Sequence, residues 1–199
     1  MQQAKRRSNS ERTETTRQAL LAAARALFVA KGYAETSTPE IVAAAGITRG
    51  ALYHHFEDKK ALFRALLETE ARAVAEQIEQ AAPAALAPVA ALEAGGLAYL
   101  EAMTVPGRTR LLLVEGPAVV GLKEMAALDA LNGARTLREG LEAALPEAAR
   151  AGLPLAELAQ ILSAAFDRAA LAVETGEDAA AYRAAITALI ARMVGAGGR

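Results

Sequence analysis

Two helix starts ten residues apart, with a glycine between them, constrain this chain of 199 residues more than any other feature. Thr38-Pro39-Glu40 reads as a helix beginning: a hydroxyl to cap, a proline suited to the first helical position, and an acid where the helix dipole favours one. Gly46 stops that helix near Ala45, and Thr48 caps another that reaches about His55. Asp58 then caps a longer one, from about 58 to 80. A first helix, about Arg12 to Lys31, precedes them, with Leu20, Ala24, Leu27 and Phe28 on one face and Gly32 as its stop. Two short helices around a tight turn, braced by longer ones, form a helix-turn-helix arrangement.

The rest of the chain reads as helix too. Apolar residues make up 53% of the sequence, many of them alanine, while aromatics reach only 4% and no β-branched run alternates. Five further helical patterns, about 88–104, 107–116, 121–145, 155–175 and 178–194, lie between glycine and proline breaks. About nine helices in an all-α fold are expected. Pro83 and Pro88 flank a change of composition near 81–87, and Gly95-Gly96 reads as a place where one helix bends or loosens. The expected division is a disordered basic arm over 1–10 with Lys5, Arg6 and Arg7, a helix-turn-helix domain over 11–57, a connecting helix over 58–80, and a larger domain over 81–199.

Charge separates along this division. Residues 1–60 carry four more basic than acidic side chains, and the remainder five more acidic than basic, for a net charge of -1. A basic head on an acidic body fits a head that meets a polyanion, although so small an excess also arises by chance. There is no cysteine, hence no disulfide or thiol catalysis. No apolar run approaches the roughly 20 residues of a membrane span. The polar, basic segment Met1–Ser10 lacks the apolar stretch of a secretory signal, and a cytoplasmic protein is expected.

The third helix carries the chemistry. Leu52 and Phe56 share an inward face, while Arg49 with Tyr53, and Gly50 with His54, stand four apart on others. Arginine donates two parallel bonds to guanine in the major groove, Ala51 suits a thymine methyl, and Tyr53, His54 or His55 can donate to phosphate. Gly50 and Ala51 are small enough for the helix to sink close to base edges. Thr38 at a helix start and Lys59 in the next first turn suit phosphate, with a solvated lysine the plain alternative.

These residues resemble a known family. Ser37 to Phe56, STPEIVAAAGITRGALYHHF, followed by EDKKALF, is similar to the helix-turn-helix of TetR-type regulators, over roughly residues 14–74. The resemblance implies DNA contacts from Thr38, Thr48, Arg49, Gly50, Ala51, Tyr53, His54, His55 and Lys59. Val42, in place of a usual alanine, and Pro39, where some members place a contacting side chain, depart from the pattern. It further implies a helical C-terminal domain for ligand binding and dimerisation. Polar residues suited to orient a ligand are Tyr99, Glu115, Asp129, Asn132 and Asp167, beside apolar Met103 and Leu112, and a solvated surface suits the polar ones equally. The last two patterns carry Leu158, Leu162 and Phe166, and Tyr182, Ile186, Leu189, Ile190 and Met193, as a dimer interface or as plain internal core.

The functional expectation is a repressor: a homodimer on palindromic double-stranded operator DNA, released by an apolar or amphipathic small molecule. A ligand-independent regulator or an activator is the alternative, and a non-specific DNA-binding protein or an enzyme a more distant one. The two adjacent histidines point in different directions, and neither a metal set, a cofactor motif nor a phosphate loop is present. No enzyme, metal, cofactor or membrane is therefore expected.

Overall fold

A computed structural model describes residues 9–196, which form two compact units that divide between Leu67 and Glu68. The arm residues Lys5, Arg6 and Arg7 lie outside the described residues. Among those described there are eleven α-helical segments, one π-helical turn and no strand.

The first unit contains α1 (Asn9–Lys31), α2 (Thr38–Ala45), α3 (Arg49–His55) and the start of α4 (Lys59–Ala81). Leu20, Leu21, Ala24 and Phe28 bury one face of α1, against Ile41 of α2, Leu52 of α3, and Leu62 and Phe63 of α4. At the centre Phe28 and Phe63 meet edge to face at 5.1 Å, and Tyr33 closes the cluster 4.9 Å from Phe63. The sequence places Phe63 in a connecting helix, yet its packing ties the first turns of α4 to this core. That explains why the division falls inside α4.

The second unit holds the remainder of α4 together with α5 (Pro88–Met103), the π-turn Arg110–Glu115, α6 (Gly116–Val120), α7 (Leu122–Ala130), α8 (Gly133–Ala144), α9 (Glu147–Arg150), α10 (Leu155–Glu174) and α11 (Ala179–Ala196). α5 packs against α8, α10 and α11. Gly95 and Gly96 lie inside α5 without breaking it. A Cβ on Gly96 would stand 3.1 Å from Ile190 and 3.4 Å from Phe166, so this glycine allows close helix packing rather than a bend.

Two expected helices are also subdivided. The pattern over 107–116 passes into a π-turn at Arg110, where Gly116 N–H donates to the Leu111 carbonyl, and continues as α6 past its expected end at 116. Pro117, which cannot donate and whose ring crowds the carbonyl four residues back, accounts for the widened spacing. The pattern over 121–145 is interrupted at Asn132, whose φ of -128° and ψ of -103° leave the helical region. Asp129 Oδ1 accepts from Ala134 N–H at 3.1 Å and so starts α8 afresh.

Below α5, Glu70 and Arg108 form an ion pair with each side chain 7% exposed. Arg108 Nε donates to Glu70 Oε2 at 2.8 Å and Nη1 to the Ala102 carbonyl at 2.7 Å, while Thr109 Oγ1 donates to the Met103 carbonyl at 2.9 Å. The orphan carbonyls at the end of α5 are thus satisfied from the following segment.

The residues offered on α10 and α11 divide by exposure within the single chain. Leu162, Phe166, Ile186 and Ile190 are at most 5% exposed within the single chain, where they pack in its own core. Leu158, Tyr182 and Met193 are half-buried, and the Tyr182 hydroxyl donates to Glu177. Only Leu189 of the expected set stands outward, at 44%, and Ile161, absent from that set, is 70% exposed. Each helix is apolar on two faces, and a stripe at helical spacing cannot say which one is turned inward.

Candidate functional site

The turn between α2 and α3 is set by backbone chemistry. Ser37, rather than Thr38, is the residue before α2, and its N–H and hydroxyl both donate to Glu40, at 2.9 and 2.7 Å. Thr38 is the first residue of the helix itself. Glu40 also pairs with Lys31 of α1, and the Lys31 ammonium, with help from Ser37, holds its carboxyl down at about 2. Gly46 adopts φ 65°, ψ 31°, and Ile47 N–H donates back to the Val42 carbonyl at 3.0 Å. Thr48 Oγ1 then accepts from Ala51 N–H at 3.2 Å and starts α3.

Leu52 and Phe56 anchor α3, at 0% and 6% exposure. Thr48, Arg49, Gly50, Tyr53 and His54 face solvent, and Thr38, Ala51 and His55 are half-buried beside them. The Arg49 guanidinium lies 5.6 Å from the centre of the Tyr53 ring. Arg49, and after it Thr38, hold the Tyr53 phenol below its ordinary value through hydrogen bonds. A Cβ at Gly50 would meet nothing within 4 Å. Neither internal packing nor a left-handed backbone therefore accounts for a glycine here, although it weakens a helix by roughly 0.5–1 kcal/mol relative to alanine.

Lys59 does not stand free as expected. Its ammonium donates to the carbonyls of Tyr33 and Thr36 at 2.9 and 2.8 Å and lies 4.1 Å from the centre of the Tyr33 ring. This ties α4 to the loop before α2 and gives an internal reason for a cation in a helix's first turn. Lys59→Ala is expected to destabilise the first unit by about 1–2 kcal/mol, since two carbonyls lose a charged donor. Urea unfolding followed by hydrogen exchange across α1 to α3 checks this, and an unchanged midpoint contradicts it.

The second unit contains a cavity of about 380 Å³. Tyr99, Met103, Leu112, Asp129, Asn132 and Asp167, which the sequence offers as ligand-orienting residues, all line it. Glu115 does not: its carboxylate turns to Arg110 Nη2 at 2.6 Å. Sequence reasoning missed Met125 and Leu171, whose places on their helices look like ordinary core. Tyr99 also borders a second cavity of about 220 Å³, where α5 faces α8 and α10.

Asp167 accepts a hydrogen bond from the Tyr99 hydroxyl, and Ser163 Oγ donates to Asp129 Oδ2 at 3.2 Å. Burial raises both carboxyls, Asp167 to about 6, with Asp129 adding to the effect on Asp167. Burial and the neighbouring Asp167 also raise the Tyr99 phenol, which stays a donor. Among the described residues no group of three or more His, Cys, Asp or Glu side chains could hold a metal, and no helix is long and apolar enough to cross a membrane.

Comparison with known proteins agrees with this architecture. Residues 20–66 match the family described as bacterial regulatory proteins, tetR family, and residues 89–197, over half of the chain, match the tetracyclin repressor-like C-terminal domain. The HTH-type transcriptional regulator AcrR of Shigella flexneri is 36% identical over 108 residues, which cover 54% of this chain and 50% of AcrR. The HTH-type transcriptional repressor BepR of Brucella suis is 44% identical over 62 residues, 31% of this chain and 29% of BepR. The match thus spans half or less of the length of these curated relatives.

Among solved structures, a TetR-family regulator from Syntrophomonas wolfei superimposes with a TM-score of 0.76 at 15% identity, covering 91% of this chain and 95% of that one. LfrR from Mycobacterium smegmatis, solved in complex with proflavine, gives 0.62 at 23% identity, covering 90% and 94%. At such identities these two likenesses bear on the fold. The two family matches, which between them take in the helix-turn-helix and most of the second unit, establish that the chain belongs to the TetR family of bacterial regulatory proteins.

Proposed function

We propose that the protein is a sequence-specific, DNA-binding transcriptional repressor that acts as a homodimer on a palindromic operator and is released by a small molecule. The observation that carries this reading is the outer face of α3, where Arg49, Tyr53 and His54 surround a glycine with open space above it. Such a face suits the major groove, with the guanidinium on a guanine edge and the phenol and imidazole on phosphate. The names of AcrR and BepR, a transcriptional regulator and a transcriptional repressor, support it. A regulator of this kind works on the chromosome, in the cytoplasm.

One seven-residue recognition helix contacts too few bases to select a site alone, so a second copy is part of the reading. The faces of α10 and α11 that carry Ile161 and Leu189, with exposed alanines such as Ala165, Ala185 and Ala188 between, suit close helix pairing with a partner. Two recognition helices about 34–36 Å apart fit successive major grooves on one side of B-DNA. An effector in the second unit shifts the dimer away from that spacing in so far as it prefers another conformer. LfrR, a TetR-like regulator solved with proflavine, lends support to control by a small molecule.

Arg49→Ala tests the reading. It is expected to cost about 1–3 kcal/mol of operator binding and to relax selectivity at one base position. Affinities for the operator and for its single-base variants, measured at one stated salt concentration, check both effects. Unchanged affinity and selectivity would remove Arg49 from the reading face.

A further inference from the structure

We propose that the 380 Å³ cavity of the second unit takes an organic cation, an apolar aromatic body bearing a positive charge that Asp129 and Asp167 hold. This rests on the reading of the protein as effector-controlled and names the chemical class of that effector. The wall is apolar over most of its extent, with Val74, Met103, Met125, Leu128 and Leu171 contributed by four helices. The charged side chains in it are Asp129 and Asp167, both acidic. Their partners are all neutral: Ala134 N–H and the Ser163 hydroxyl for Asp129, and the Tyr99 hydroxyl for Asp167. Among the described residues no lysine, arginine or histidine pairs with either.

Buried carboxylates are ordinarily paired with a cation, because a lone anion away from water is costly. Here Asp129 and Asp167 are half-buried in the wall of an open space, and the partial loss of water raises each carboxyl's affinity for a proton in place of the missing charge. A ligand cation supplies that charge from the cavity side. The Tyr99 ring and the two methionine thioethers favour a delocalised or alkylated cation over a strongly hydrated one. Two carboxylates fall short of the oxygen cage that calcium or magnesium requires, so an organic cation fits better than a metal ion. An anionic ligand would add a third negative charge to the same space. Leu122, in the wall yet 77% exposed, marks a route to solvent for an entering molecule.

Three anthracenes of one skeleton test this on the full-length protein: (9-anthracenylmethyl)trimethylammonium as the cation, 9-anthracenemethanol as the neutral form and anthracene-9-carboxylate as the anion. Fluorescence titration without DNA is expected to rank cation over alcohol by at least about tenfold, with the carboxylate weaker still. Asp129→Asn with Asp167→Asn is expected to bring cation and alcohol within about threefold of one another. The ligand-free double variant should melt no lower than the wild type, because two mutually repelling, half-buried acids are gone. Equal binding of all three probes, a preference for the carboxylate, or no binding of any probe overturns the proposal. The wild-type ranking alone decides if the double variant does not fold. Release of operator DNA is measured separately. Cation binding without release sinks the effector reading and leaves the charge preference standing, whereas release by the alcohol at equal affinity does the reverse.

Discussion

Arg108→Ala is expected to remove about 3–5 kcal/mol from the stability of the second unit. The guanidinium and the Glu70 carboxylate are each 7% exposed, and Arg108 also donates to the Ala102 carbonyl at the end of α5. Truncation to alanine takes a charged donor from a carboxylate and from a carbonyl in a place that water scarcely reaches. A loss of this size is a large fraction of the roughly 5–15 kcal/mol by which a domain is stable. It would appear as a lower urea midpoint for the amides of α5 and its neighbours. Replacing both partners together, Glu70→Leu with Arg108→Met, is expected to recover part of that loss, because the two buried charges go together while the Ala102 carbonyl still lacks its donor. A cost below about 1 kcal/mol for the single variant would mean that water reaches the pair after all.

The second large effect lies in the ring cluster beneath the helix-turn-helix. Phe63 touches Phe28 edge to face at 5.1 Å and Tyr33 at 4.9 Å, and its side chain is fully buried. Phe63→Ala is expected to cost about 3–5 kcal/mol, from lost burial and from the cavity that remains. The same ring cluster seats α1 and the loop that Lys59 holds, so the orientation of α3 loses its support. Protection of α1 to α3 amides from hydrogen exchange should collapse, and operator binding should go with it. Phe63→Leu keeps much of the volume and is expected to retain binding at a much smaller cost. Full operator affinity in a soluble Phe63→Ala protein would show that the cluster does not position α3.

The helix-turn-helix was legible because its signals are local. Gly46 in the left-handed conformation, the Thr48 cap and the inward Leu52 and Phe56 each follow from residue type and short spacing. The cavity wall was partly legible for a related reason: Tyr99, Asp129, Asn132 and Asp167 interrupt otherwise apolar helix faces. What escaped depends on neighbours distant in the chain. Glu70 and Arg108 are 38 residues apart, and neither shows in sequence that it is buried. Gly95-Gly96 reads as a weakness until Ile190 and Phe166 are seen packed against it. Lys59 looked like a free charge because its partners are backbone carbonyls, which no side-chain pattern reveals. For α10 and α11, Ile161 and Phe166 both sit on apolar stripes, and only packing decides that one is exposed and the other buried.

Selection from a random duplex DNA library at about 150 mM salt, read by sequencing, tests most directly whether the outer face of α3 reads sequence. The expected result is a palindrome whose half-site centres lie about 10 base pairs apart. It should be bound at least about 10³-fold tighter than a scrambled duplex at the same salt. No enriched sequence, or equal affinity for the two duplexes, would contradict the account.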